Sequence, residues 1–176
     1  MSARTQVAES SFNYLHMELV QMALGSVAKS GGSPPSTAQL QQASRKIEAV
    51  GFQVGQRLAQ RYTKDRQRLG DTLEIIKFIC KDFWMEVYRK QIDKLQTNNR
   101  GVYMLQDNSH PVLTRCSPSV PRQASAKQMA MLHIKFPSGL IRGALSALGV
   151  VASVSAEVNE LPRCQFTIKI QSGEAS

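Results

Sequence analysis

Three histidines, three cysteines and one close pair of carboxylates are the residues of this chain that could build a catalytic or metal site. A metal or an acid–base relay needs such groups at short, regular spacing. His16, His110 and His133 fall in three different predicted elements with no ligand spacing between them, so they read as surface or internally satisfied imidazoles. Cys80, Cys116 and Cys164 are far apart and never form a CxxC pair, which argues against both a zinc site and a disulfide framework. Cys80 lies on an apolar helical stripe, where a free thiol acts as a small hydrophobe. Asp82 and Glu86 stand four apart on one helix face, but Lys81, Arg89 and Lys90 beside them make that face a solvated, ion-paired one. No phosphate loop with its lysine, no HExxH and no GxSxG elbow is present. The expectation is a protein with no catalytic residue, no cofactor and no metal.

The most informative stretch is 71–108, which reads as one helix from Asp71 to Gln96, a polar turn at 97–101 and an immediate strand at 102–105. Asp71 caps the helix, with Glu74 in the capping-box position. At about 100° per residue, Leu73, Ile76, Ile79, Cys80, Phe83, Trp84 and Val87 share a broad stripe. Leu73, Ile76, Cys80, Phe83 and Val87 are taken as the spine of the core. Ile75, Phe78 and Met85 fall opposite. A helix apolar on two sides is buried on two sides, either by its own domain and a partner or by its own chain alone, and periodicity leaves both open.

The remaining elements follow from pattern and punctuation. A first helix over 10–28, capped by Ser10 or Ser11, carries Phe12, Leu15, Leu19 and Met22 in a stripe. A loop over 30–36 is broken by glycine and proline pairs. The second helix, about 37–63, keeps Leu40, Ala43, Ile47, Gly51, Val54 and Leu58 on one face. Gly51 and Gly55 each cost about 1 kcal/mol relative to alanine there and so mark a close backbone approach. The run 110–115 is a plausible hairpin partner for the strand at 102–105, and 117–127 reads as a mobile excursion. A strand at 129–136 leads to a fourth helix opened by Pro137 and closed by Gly149, and two final strands cover 150–160 and 163–171. The sum is an α+β domain with a largely antiparallel sheet. It occupies 10–171 as a single unit, with 1–9 and 172–176 expected to be disordered and the loops 30–36 and 117–126 flexible.

The net charge is +9, and Arg57, Arg61, Lys64, Arg66 and Arg68 surround the single acid Asp65. Base-stacking aromatics are not interleaved with them, which argues against nucleic acid as a partner. The patch reads as a solvated helix end and loop, and if it binds anything an anionic membrane surface is the better fit. The N-terminus has no signal-peptide core, and Arg142 with interrupting glycines makes 139–156 a poor membrane span. The expected location is the cytoplasm.

Six blocks in order, GFQVGQ at 51–56, FICKDFW at 78–84, KQID at 90–93, YMLQDN at 103–108, GLIRG at 139–143, and AEV at 156–158 with CQF at 164–166, resemble the small core subunits of the TRAPP vesicle-tethering complex. The likeness is to the subunit-six, or Trs-thirty-three, branch of the Bet-three superfamily. It implies an α/β-plait, a twisted antiparallel sheet of about four strands with four or five helices packed on it. It also implies a non-catalytic subunit that pairs with a Bet-three-type subunit and supports complex assembly, and only indirectly meets a Rab GTPase. The setting implied is ER-to-Golgi and Golgi vesicle transport, on the cytoplasmic side and peripheral to those membranes. The partner surface is then placed at Phe12, Leu15, Leu19, Met22, Leu40 and Ile47. The Bet-three branch carries a lipid-modified cysteine before its third helix; the matching stretch 64–70, KDRQRLG, has none. The loops 30–36 and 117–126 are longer than the family norm and read as spacers. The alternative function is a small-molecule or lipid-binding module with an apolar pocket around the helix 71–96.

Overall fold

A computed structural model describes residues 9–27, 35–65, 69–98, 100–114 and 123–171. Helix α1 is Glu9–Gly25, so Ser10 and Ser11 lie inside it rather than capping it. Helix α2, Thr37–Thr63, starts on a complete capping box: Ser36 Oγ accepts from the Gln39 N–H, and the Gln39 side chain accepts from the Ser36 N–H.

The long helix expected over 71–96 is shorter and has a defect in it. It runs as α3 (Thr72–Phe78), a π-helical turn (Ile79–Phe83) and α4 (Trp84–Tyr88). Asp71 accepts from the Glu74 N–H as predicted, while the Glu74 carboxylate accepts from Gly70 instead of closing the box. The rod stops at Arg89, which adopts the left-handed conformation at φ 58°. Ile92 then donates its N–H to the Cys80 carbonyl inside the π turn at 2.9 Å, folding the chain back across the rod. Residues 94–96, expected as the end of the helix, and Thr97, expected in the turn, are therefore strand β1 (Lys94–Thr97).

The π turn also corrects the wheel. A π turn holds one extra residue, so side chains after it are out of phase with those before it. Ile75, Ile76, Phe78, Ile79, Cys80, Phe83, Trp84 and Tyr88 are all buried. Of the expected spine, Ile76, Cys80 and Phe83 lie in the core, Val87 is half-buried, and Leu73 is 37% exposed and outside it. Ile75 and Phe78, on the supposed second side, are covered by the chain itself.

Strands β1, β2 (Val102–Asp107), β3 (Ala152–Glu160) and β4 (Arg163–Ile170) form one antiparallel sheet in the order β1-β2-β4-β3. The register places Leu95 opposite Leu105, and Phe166 opposite both Leu105 and Ala156. Leu105, Asp107, Ala156, Val158, Cys164, Phe166 and Ile168 face the helices, while Ser153, Ser155, Glu157 and Lys169 are exposed on the other face.

Both edges of β2 are taken, by β1 and β4, so 110–114, the described part of the expected hairpin partner, has no free edge of β2 to pair with. Pro111 opens a short helix there instead, α5 (Pro111–Thr114), at the position where proline loses nothing. The strand expected over 129–136 is also helical. Helix α6 (Gln123–His133) passes through Ile134 into α7 (Lys135–Ala147), with Ile134 and Ser138 donating to carbonyls four residues back. A short apolar run does not distinguish a buried helix from a strand. Counting α3, the π turn and α4 as one rod, five helices and the short α5 accompany the sheet among the described residues: an α+β plait.

The tightest contact is between α2 and α7. An added Cβ on Gly51 or Gly55 would fall on the Phe136 or Leu140 carbonyl, and one on Gly139 or Gly143 on that of Glu48 or Phe52. Only glycine allows two helices to approach this closely. Arg142 braces the crossing, 3.1 Å from Glu48 and stacked 4.9 Å from the Phe52 ring centroid.

Most of the expected disordered termini and flexible loops, together with Arg66, Arg68 and Cys116, lie outside the described residues; within them, Glu9 starts α1 and 123–126 is the first turn of α6. No described helix is long and apolar enough to cross a membrane.

Candidate subunit interface

Helix α1 is apolar on more sides than one domain can cover. Asn13, His16, Val20 and Ala23, at spacings of three and four, are buried against the domain. The opposite side exposes Tyr14 and Leu15 at 69% each, Met22 at 68% and Met17. A run of large apolar side chains along two turns of an exposed helix is the mark of an interaction face.

The six predicted interface residues separate on this helix and its neighbour. Leu15 and Met22 point outward. Phe12 and Leu19 sit half-buried at the edges of the dock, Phe12 with its ring edge-on to Tyr88 and Phe136 at 6.1 and 6.2 Å. Leu40 is half-buried and lines a groove of about 420 Å³ between α2 and the junction of α6 with α7, with Met131, Leu132 and Lys135 across from it. Ile47 is completely buried, in the same row of α2 as Ala43 and Gly51, and is therefore a core residue rather than a partner contact.

The three histidines lie inside the protein. His16 and His133 stack with ring centroids 5.3 Å apart and planes 25° from parallel, and Phe136 stands edge-on to His16. Burial, then the fields of His133 and His110, push the His16 pKa down to about 3, against a small opposing pull from the His133 backbone. Burial lowers His133 as well. His110 is brought down to about 4, by burial first, with Asp107 opposing and Lys90 reinforcing the shift. Its Nδ1 accepts from the Val112 N–H, the arrangement of a neutral ring.

Asp107 is the one fully buried carboxylate among the described residues. Its oxygens accept from Trp84 Nε1 at 3.1 Å and from Lys90, whose ammonium also reaches Asp93 at 3.1 Å. Burial works against the Lys90 charge, but the bonds to Asp107 and Asp93 outweigh it and hold its pKa above the usual lysine value. Asp93 also accepts from the Asn108 N–H, so the network ties the end of the helical rod to β2 and the turn after it. These charges are consumed in structure. Burial pushes the Cys80 thiol up to about 12 and raises Cys164 further, so neither is a ready nucleophile. Among the described residues, no three His, Cys, Asp or Glu side chains are grouped to hold a metal ion.

Sequence reasoning missed the His16–His133 stack, because two residues on different helices carry no mutual spacing signal. It also missed Asp107, which reads as a turn former at the end of β2. The glycine crossing was half legible: Gly139 and Gly143 repeat the four-residue spacing of Gly51 and Gly55, and that match could have paired the two helices.

The family described as "Transport protein particle (TRAPP) component" matches residues 12–171. The chain is 42% identical over 163 residues to trafficking protein particle complex subunit 6b of Danio rerio, covering 93% of this chain and 97% of that protein. It is 48% identical over 126 residues to subunit 6B of Homo sapiens, covering 72% and 77%, and 38% identical over 160 residues to subunit 6A of Bos taurus, covering 91% and 95%. A solved structure of trafficking protein particle complex subunit 3 from Naegleria fowleri, covalently bound to palmitic acid, superposes with a TM-score of 0.65. It covers 93% of this chain and 97% of that one, and at 14% identity it speaks for the fold alone.

Proposed function

The chain belongs to the TRAPP component family, and from that premise we propose that it is a non-catalytic core subunit of the TRAPP vesicle-tethering and Rab-exchange complex. It pairs with a Bet-three-type subunit through the outward face of α1 and thereby supports assembly of the complex in ER-to-Golgi and Golgi transport. The observation that carries this reading is the exposed row Tyr14, Leu15, Met17 and Met22 on a helix whose other side is already docked. A Rab GTPase is met only indirectly, through neighbouring subunits.

Co-expression with a Bet-three-type subunit followed by size-exclusion chromatography tests the pairing. A stable one-to-one complex is expected, and it is lost in the double variant Leu15→Asp/Met22→Asp. A wild-type chain that elutes alone in the presence of the partner defeats the proposal. Arg57, Arg61 and Lys64, all exposed toward the end of α2, favour a peripheral contact with anionic membrane. Flotation with phosphatidylserine liposomes checks this: binding at low salt that fades at high salt is expected, and no binding at low salt removes it. The alternative of a ligand pocket around 71–96 finds less support, because Phe83, Trp84 and Phe166 fill the space between rod and sheet, with Trp84 and Phe166 rings 5.6 Å apart.

A further inference from the structure

The dock of α1 is built from an unusual material. Its inward face carries one large titratable ring, His16, and the surface beneath it presents another, His133, at the end of α6. Neither nitrogen of His16 makes a well-formed hydrogen bond in the dock, nor does Nδ1 of His133. The surroundings are Phe12 and Phe136. Two neutral imidazoles stack well in such a place. An imidazolium does not belong there, because a buried charge without a counter-ion is costly and its stacked neighbour would be repelled once it too carried a proton.

We propose that α1 is a proton-sensitive helix: the stacked neutral pair His16–His133 holds it to the domain, and protonation of either ring releases it together with its outward apolar face. Of the groups that act on the pair, only the His133 backbone favours a proton on His16, and its influence is the smallest. His110, ahead of α5, adds positive field at His16 when charged, and no Asp or Glu of the described residues acts on either ring. Of the charged groups on the elements around α1, Lys46 of α2 bonds to Ser26 beyond the C-terminus of α1, and Lys135 of α7 is a further cation. Glu18 of α1 is exposed, and Tyr88 of α4 meets Phe12. No negative charge among the described residues of the dock compensates a proton.

The sign follows from linkage. The docked rings titrate below the ordinary histidine value, so docking is at full strength above about pH 6.5 and weakens as pH falls. At pH 5 a ring that is free when α1 opens and neutral when it is closed favours the open form about 30-fold. Release of α1 stands on the stack alone; loss of the partner with it rests on the reading of the α1 face given above.

Hydrogen exchange of the full chain, read on peptides within 11–24, tests this for wild type and His16→Phe side by side at pH 7 and pH 5. Comparison at equal pH cancels the intrinsic chemistry. The wild-type-to-variant ratio of exchange is expected to rise about 25-fold between the two pH values. An unchanged ratio overturns the proposal. Should His16→Phe not fold, NMR titration of the wild-type histidine rings decides the same question: rings that stay neutral to pH 5 while α1 is docked support it, and one that titrates near pH 6.5 with α1 still docked refutes it. Capture of a co-expressed Bet-three-type subunit over the same range separates the two readings. Release of α1 with the partner fully retained overturns the assignment of the α1 face and leaves the proton-sensitive dock standing.

Discussion

Where α2 crosses α7, four glycines bring two backbones so close that a Cβ at any of them would meet a carbonyl of the opposite helix. Where α1 lies on the domain, the contact is made by side chains, among them Asn13, His16 and Val20, and the far side of the helix is left apolar and exposed. The first contact cannot loosen by degrees, since close-packed backbone either fits or does not. The second is held by rings that must remain neutral and can come apart without disturbing the sheet. A rigid crossing beneath a conditional helix suits a subunit whose core must persist while its surface engages another protein.

The largest effect should come from the crossing. Gly143→Ala places a methyl on the Phe52 carbonyl and is expected to cost about 3 kcal/mol in chemical denaturation, or to prevent folding. A variant that unfolds like wild type would show that the crossing yields after all. Next is Asp107→Ala, which strips Trp84 Nε1 and Lys90 of their shared acceptor. Because Lys90 keeps some solvent and Asp93, the loss should sit near the lower end for a broken buried pair, about 3 kcal/mol. Asp107→Asn, which retains an acceptor for Trp84, should recover part of it.

The dock of α1 should respond to acid where the crossing does not. His16 alone is expected to remove about 2 kcal/mol of stability between pH 7 and pH 5, because its pKa is depressed in the folded state and the benefit is lost as pH falls below 6.5. Thermal melts of wild type and His16→Phe over that range check this, and parallel pH profiles would erase the contrast between the two regions. Smallest is the outward face. Leu15→Asp should leave stability within about 0.5 kcal/mol of wild type, since the side chain is solvated in the lone chain. A large loss would mean that the face belongs to the domain's own core.

The fold was legible wherever one local pattern left one solution. Asp71 started α3 as its cap, the alternation at 163–170 marked β4, and Gly51 with Gly55 announced a close approach before its partner was known. Errors arose where an apolar run had two solutions. The run 129–136 became helix within α6 and α7, and the start of 110–115 gained no strand partner because both edges of β2 were already paired. Residues 94–96 became strand because Arg89 turned the chain and the π turn offered Ile92 an acceptor. The candidate interface was half legible for the same reason. Leu15 and Met22 were named from the stripe of α1, but Ile47 was named with them, and the stripe could not show that Asn13 and His16 would take the inward side.

From sequence alone came the class of the protein, the absence of any spaced catalytic or metal constellation, and the family blocks, because spacing within one element survives folding unchanged. Which face of α1 stays free, which glycines meet, and that His16 lies on His133 were decided only in three dimensions, since residues on separate helices acquire a distance, a dielectric and a pKa only when those helices pack.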